Sequence, residues 1–422
     1  MKRISAFLLM LLMVVFSLLP LVSCGNAADD GEEVEFIDTP YKGTTLYVYN
    51  WGEYISDGSE GSLDVVKLFE QTYGITVKYD YFDSNETMYA QMRDSKYDII
   101  IPSDYMIAKL AREDMLYPLD RTQIPNWDLI DPQYRGQYYD PEDKYTVPYS
   151  VGMIGIVYNK KLIAEALGDG DENYEPPHTW DLLWNEKLDQ GQIINFNNPR
   201  DAFGTAMLKL GIGLNTLDTH DWDDAYQALL KQKKNCIYLM DEIFNKMENG
   251  SAAVAAYYAG DCLTMMDVNP DLAFYYPEEG TNVFIDAMCI PKGTQNPGAA
   301  HLFINFMLSP EVATANANYI SYASPNLAVR DNEDYDYPEG TDGYDILYNT
   351  PDGYKTEYYH DLPEDTLQYM NDLWIRLSIE EEEGVTNYGT IIFLALLVLG
   401  VAWVFFYYGR KIYLHHKKAN DR

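Results

Sequence analysis

The sequence predicts an α/β fold of two lobes, joined by hinge strands across an interlobe cleft, with one C-terminal transmembrane helix appended. Three observations carry that expectation. Strands and helices alternate through the first part of the chain. Two long extended runs, YTVPYSVGMIGIVYN (Tyr145–Asn159) and VFIDAMCIP (Val283–Pro291), join two α/β regions. An uncharged run of 21 residues, Tyr388–Tyr408, has the length of a bilayer-spanning helix. The 422 residues, 47% hydrophobic, suffice for about two ordinary domains.

The elements follow in order. Leu46–Asn50 reads as a strand running into a loop, Trp51-Gly52-Glu53-Tyr54, that gathers two aromatic faces and a carboxylate at the strand's carboxyl end. A helix over Leu63–Tyr73 carries an apolar stripe of Val65, Val66, Leu68 and Phe69, and Gly74 ends it as a C-cap glycine does. Ile75–Tyr81 is a second strand. Ser84 or Asn85 caps a helix holding Met88 and Met92. Tyr97–Ile101, with its continuous DIII run, suits a buried parallel strand. Past the first crossing, helices are expected near Trp180–Asn185, Asp201–Leu210, Asp221–Lys231 and Asp241–Asn249. A further helix, Ala299–Leu308, follows the second crossing. This order places lobe 1 at 43–146 and 286–330, and lobe 2 at 147–285 and 331–380.

Both ends of the chain address a membrane. Lys2 and Arg3 precede an apolar run, Ile4–Val22, with the layout of a secretory signal over residues 1–23. Leu21-Val22-Ser23-Cys24 resembles a bacterial lipobox, which implies lipidation of Cys24; a plain signal peptide containing a cysteine is the alternative. Residues 24–42 read as an acidic tether. At the other end, Glu380–Glu383 lie before the 388–408 helix, and Arg410, Lys411, Lys417, Lys418 and Arg422 lie after it. The positive-inside rule then puts a basic tail, 409–422, in the cytoplasm and everything upstream outside, extracellular or periplasmic.

Composition narrows the function. A formal net charge of -36 argues against a nucleic-acid partner, whose phosphates need Lys and Arg surfaces. It permits cationic ligands. The 38 tyrosines supply flat apolar faces with polar tips, a common lining for clefts. No metal-binding spacing of His, Cys or acidic residues is present, and neither a metal nor a cofactor is expected. Cys236, Cys262 and Cys289 lack any CxxC pair and read as small buried hydrophobes.

Several ordered motifs carry a family resemblance over about Thr44–Leu377: YNWGEYI (Tyr49–Ile55), SNETMYAQM (Ser84–Met92), YDIIIPSDYMI (Tyr97–Ile107), the Tyr145–Asn159 crossing, YYAGD (Tyr257–Asp261), FIDAMCIP (Phe284–Pro291), AAHLFINFMLSPEV (Ala299–Val312) and SYASPN (Ser321–Asn326). Together they resemble the spermidine/putrescine-binding proteins of ABC transporters. The resemblance implies a periplasmic-binding-protein-like fold and a non-enzymatic receptor. Such a receptor hands a polyamine to ABC permease subunits powered by a cytoplasmic ATPase. It also implies the ligand-binding positions Trp51, Tyr54, Ser103, Tyr105, Asp201, Tyr258, Asp261, Phe284, Asp286 and Tyr322. Gly52, Tyr258, Phe284 and Asn198 depart from the family pattern, and the missing carboxylate at Asn198 tilts the expectation towards a diamine.

The chemistry of these residues agrees with that implication. A linear polyamine is a methylene stem with ammonium ends. The stem wants flat apolar walls, and the ammoniums want carboxylates and π faces. Purely structural roles stand beside several of them. Asp201 suits the first turn of a helix, Asp261 a turn after Gly260, Ser103 an N-cap, and Tyr322 the core. Asp286 lies in an otherwise apolar strand, where an unpaired carboxylate is costly. Rival functions are a same-fold receptor for another small amine, an amino sugar or iron, and, with no motif in its favour, a two-carboxylate glycosidase.

Overall fold

The computed structural model describes residues 37–93, 96–240 and 242–379. The signal segment, Cys24, most of the acidic tether, the 388–408 helix and the basic tail lie outside the described residues. Among the described residues, no helix is long and apolar enough to cross a membrane.

Ten strands form the scaffold: β1 (Thr45–Trp51), β2 (Thr76–Phe82), β3 (Ile99–Ile100), β4 (Thr146–Asn159), β5 (Ile193–Phe196), β6 (Cys236–Leu239), β7 (Val254–Tyr258), β8 (Leu272–Tyr275), β9 (Thr281–Cys289) and β10 (Thr356–Glu357). Their order is β2-β1-β3-β9-β4-β7-β5-β6, with β8 on β4 and β10 on β9. The first lobe is built on the parallel set β2-β1-β3, and the second on the parallel set β7-β5-β6. Between them lie β4 and β9, paired antiparallel from Thr146↔Cys289 to Met153↔Val283. These are the two long extended runs of the sequence. The amino-terminal half of β4 pairs with β9, and its carboxyl-terminal half pairs with β7 and β8. One strand therefore belongs to both lobes, as a hinge requires.

Each lobe has its own core. Leu46, Val48, Val65, Phe69, Ile99 and Phe303 are buried in the first. Ile156, Trp180, Phe203, Trp222 and Val254 are buried in the second, where Met370 and Leu373 of the last described helix also pack. Local signals explain the helices. Asp64 caps Val65–Tyr73 by accepting from the Lys67 amide, and Gly74 closes it at φ 64°. Ser84 caps Asn85–Met92 through the Thr87 amide. The expected helix near Trp180 is a 3-10 turn, Trp180–Trp184, too short for a regular α-helix. Helices Asp104–Arg112, Lys160–Leu167, Ala259–Val268, Pro310–Ile320, Asp342–Tyr348 and Glu364–Ile379 add to those expected. The cysteines at 236, 262 and 289 are free and buried, in keeping with their reading as small hydrophobes.

Candidate functional site

Loops at the carboxyl ends of the parallel strands face each other across the hinge, the usual ligand position in open α/β sheets. Trp51 closes β1, and Ser103 follows β3. Asp201 opens the helix after β5, and Tyr258 closes β7. The cleft between them has a volume of about 2370 Å³ and is lined by all ten residues expected from the sequence. That volume exceeds the roughly 300–1,000 Å³ of a site fitted to a small molecule.

Asp286 sits on β9 opposite Ser150 of β4, at the centre of the hinge. It is 3% exposed. The Tyr54 hydroxyl donates to its Oδ2 at 2.7 Å, and its buried Oδ1 has no hydrogen-bond partner. Burial drives the Asp286 carboxyl up to about 6, against a smaller opposing pull from the Ser103 and Tyr54 hydroxyls. Ser103 forms an isolated β-bridge with Asp286 and is the N-cap residue of Asp104–Arg112. Its amide donates to Asn85 Oδ1, and its hydroxyl accepts from Asn85 Nδ2, both at 3.1 Å. Asn85 Nδ2 also donates to the Tyr105 hydroxyl, which in turn donates to Glu86. Tyr149, on β4, fixes the Tyr54 loop by donating to the Tyr54 carbonyl at 2.8 Å.

Asp201 occupies the first turn of helix Pro199–Leu210, capped by Asn198. Its helix-start role is thus real, and the same carboxylate lines the cleft. The Asn198 amide nitrogen and the Tyr258 hydroxyl both donate to Asp201 Oδ2, at 2.7 and 3.0 Å. Burial raises the Asp201 carboxyl, while these donors and the neighbouring Arg200 guanidinium pull it back down. On helix Ala259–Val268, Asp261 accepts from the Tyr322 hydroxyl at 2.6 Å.

Three carboxylates are therefore each held by a tyrosine of the expected site: Asp286 by Tyr54, Asp261 by Tyr322 and Asp201 by Tyr258. The rings join into one wall. Tyr54 meets Tyr322 edge-on at 5.8 Å, Tyr322 lies 6.3 Å from Phe284, and Phe284 meets Tyr258 edge-on at 5.6 Å. The wall carries a carboxylate at each end and one beside its middle. Two glycines make room for it. A Cβ on Gly152 would sit 2.1 Å from the Phe284 ring, and one on Gly260 would sit 2.4 Å from the Tyr322 ring. Trp51 packs instead on Phe82, at 4.5 Å, and lines the rim of the cleft with Tyr105. Such a wall suits an elongated apolar stem with positive ends.

Sequence reasoning missed several cleft residues. Asp104 is fully buried beneath Asp286, accepting from the Tyr105 amide at 2.7 Å; burial first, and then the Asp286 charge, raise its carboxyl. Its place directly after the Ser103 cap was the available signal. Arg200 adjoins Asp201 in sequence and lies over the Tyr359 ring at 4.5 Å. Tyr359 carried no signal among 38 tyrosines, nor did Tyr149, which supports the Tyr54 loop from outside the cleft lining.

Comparison with known proteins agrees with this geometry. The profile of the family described as bacterial extracellular solute-binding protein matches residues 64–340. The chain belongs to this family. Its members are solute receptors rather than enzymes. The spermidine/putrescine-binding periplasmic protein of Salmonella typhimurium is 31% identical over 292 residues, covering 68% of this chain and 79% of the relative. The putrescine-binding periplasmic protein of Escherichia coli is 29% identical over 301 residues, again 68% of this chain and 79% of the relative. Among solved structures, the spermidine/putrescine ABC transporter substrate-binding protein of Streptococcus pneumoniae aligns with a TM-score of 0.63 at 31% identity, over 80% of this chain and 99% of that one. The two-lobed fold expected from the sequence is the fold of these receptors.

Proposed function

We propose that this receptor captures a linear polyamine, with a preference for a diamine, outside the cell and delivers it to an ABC importer. One observation carries the reading. Asp286 lines a cleft walled by aromatic rings, and its buried Oδ1 has no hydrogen-bond partner. A buried charge of that kind is costly unless a cation joins it. An ammonium on Asp286 would place the ligand's stem along Tyr322 and Phe284, with Asp261 and Asp201 within reach of further amines. Lobe closure about β4 and β9 would then exclude water and strengthen each ion pair. The lobes in this reading divide at 43–146 with 286–330, and 147–285 with 331–380.

Anchorage belongs to the same proposal. A lipid on Cys24 and the 388–408 helix would hold the receptor beside its permease, raising its effective concentration there. Calorimetric titration of the purified chain with putrescine, spermidine, spermine and a panel of neutral sugars tests the ligand class. Saturable binding of amines alone is expected. Binding of a sugar, or of no amine, would refute it.

A further inference from the structure

Four tyrosines stand among the expected site residues, and each donates its hydroxyl to a carboxylate that lines the cleft. Tyr54 holds Asp286, Tyr258 holds Asp201 and Tyr322 holds Asp261. The fourth, Tyr105, donates to Glu86 Oε1 at 3.1 Å. Glu86 was not expected in the site, yet it lines the cleft and is exposed there. Its connection to the hinge runs through hydrogen bonds. The Ser103 backbone bridges Asp286, the Ser103 hydroxyl accepts from Asn85 Nδ2, and the same nitrogen donates to the Tyr105 hydroxyl. Asn85 is 4% exposed, so this hub is built into the first lobe. Trp51, packed on Phe82, and Tyr105 line the same cleft and offer π faces to a cation.

We propose that Glu86 is a specificity-determining residue: with Tyr105 it forms a first-lobe subsite for the third ammonium of a triamine, which a diamine leaves empty. The inference rests on the polyamine reading of the cleft. With spermidine's central ammonium on Asp286, its aminobutyl arm takes the ring wall that putrescine takes, and its aminopropyl arm reaches Glu86. The second lobe suits that extra charge less well. The Arg200 guanidinium lines the cleft there, donating to Asn215 Oδ1 at 2.9 Å and to the His360 carbonyl at 3.2 Å. An arriving ammonium would share that end with a cation. On the first lobe, the cleft-lining Lys109 is already paired with Glu113 at 3.0 Å. Glu86 also lies in the first turn of helix Asn85–Met92, where a carboxylate complements the helix dipole. A purely local role of that kind would leave amine selectivity untouched.

Glu86→Gln keeps an acceptor for the Tyr105 hydroxyl and removes the charge. Calorimetry of wild type and variant with spermidine and with putrescine reads the ratio of the two Kd values. Spermidine should weaken by about fivefold, the worth of one partly exposed ion pair. Putrescine should weaken by no more than about twofold, as expected of a charge it does not touch. The thermal midpoint of the ligand-free chain should change little. Equal weakening of both amines would overturn the subsite, reducing Glu86 to general cleft charge or packing. An unchanged spermidine Kd would overturn it too, as would a wild type that binds putrescine but not spermidine. Each of these outcomes leaves the polyamine reading standing. A wild type that binds no amine at all would sink that reading and this inference together.

Discussion

The two ends of the aromatic wall hold the same residue type in opposite conditions. At the hinge end, Asp286 accepts from Tyr54 on one oxygen and has no partner on the other. At the second-lobe end, Asp201 draws donors from Asn198 and Tyr258 onto one oxygen and has Arg200 as its sequence neighbour. Asp201 therefore has more of its charge met by neighbouring groups than Asp286, although burial raises both carboxyls. The contrast teaches that two aspartates of equal standing in the sequence carry unequal shares of recognition. Affinity for a cation centres on the hinge, and the second lobe contributes orientation and reach.

Breaking the hinge end should have the largest effect. Asp286→Asn keeps the shape and deletes the charge, so an ammonium arriving there would be buried without a counter-ion. Removing one partner of a buried charge pair costs about 2–5 kcal/mol, which is on the order of a 100-fold loss of putrescine affinity or more. Calorimetry reads this directly. The variant itself should be at least as stable as wild type near neutral pH, because a desolvated charge has been removed.

Acid should weaken binding by the next largest factor. An unfolded aspartate titrates near 3.9, whereas Asp286 in the fold titrates near 6. Between those values the ligand-free fold holds a proton that the unfolded chain has released. This group therefore adds stability as pH falls below about 6 and withdraws it as pH rises through 6. Ligand binding has the opposite preference, since only the carboxylate pairs with an ammonium. Affinity should rise with pH and level off above about 7, with a loss of about tenfold on going from pH 7 to pH 5. A flat profile for wild type would mean that Asp286 does not meet the ligand's charge.

Asp201→Asn should have the smallest effect, a several-fold loss, because Asn198, Tyr258 and Arg200 already offset much of its charge. The amide can still accept from both donors. A loss as deep as that of Asp286→Asn would erase the asymmetry and place the two ends on equal terms.

Much of this was legible in the sequence. The two extended crossings became β4 and β9 because long β-branched and apolar runs without helix caps leave few alternatives. Asp286 stood out because a lone carboxylate in an apolar strand demands a reason. Gly74 and Ser84 announced helix boundaries through local chemistry, and both serve as expected. What stayed hidden depends on contacts distant in sequence. The pairing of Tyr54 with Asp286 spans 232 residues, and that of Tyr138 with Tyr359 spans 221. Nothing local marks which tyrosines of so many will meet. Helix Ala259–Val268 was hidden for a different reason. Its Gly260 and Asp261 read as a turn, but Gly260 is there because the Tyr322 ring lies against it.

The central claim is that an ammonium displaces the proton of Asp286 when the ligand enters. Titrating putrescine into the protein at pH 6, in two buffers of different ionisation enthalpy, counts that proton. With the carboxyl near 6, binding should release about half a proton from wild type and none from Asp286→Asn. Identical heats for wild type in the two buffers, or the same release from the variant, would contradict the account.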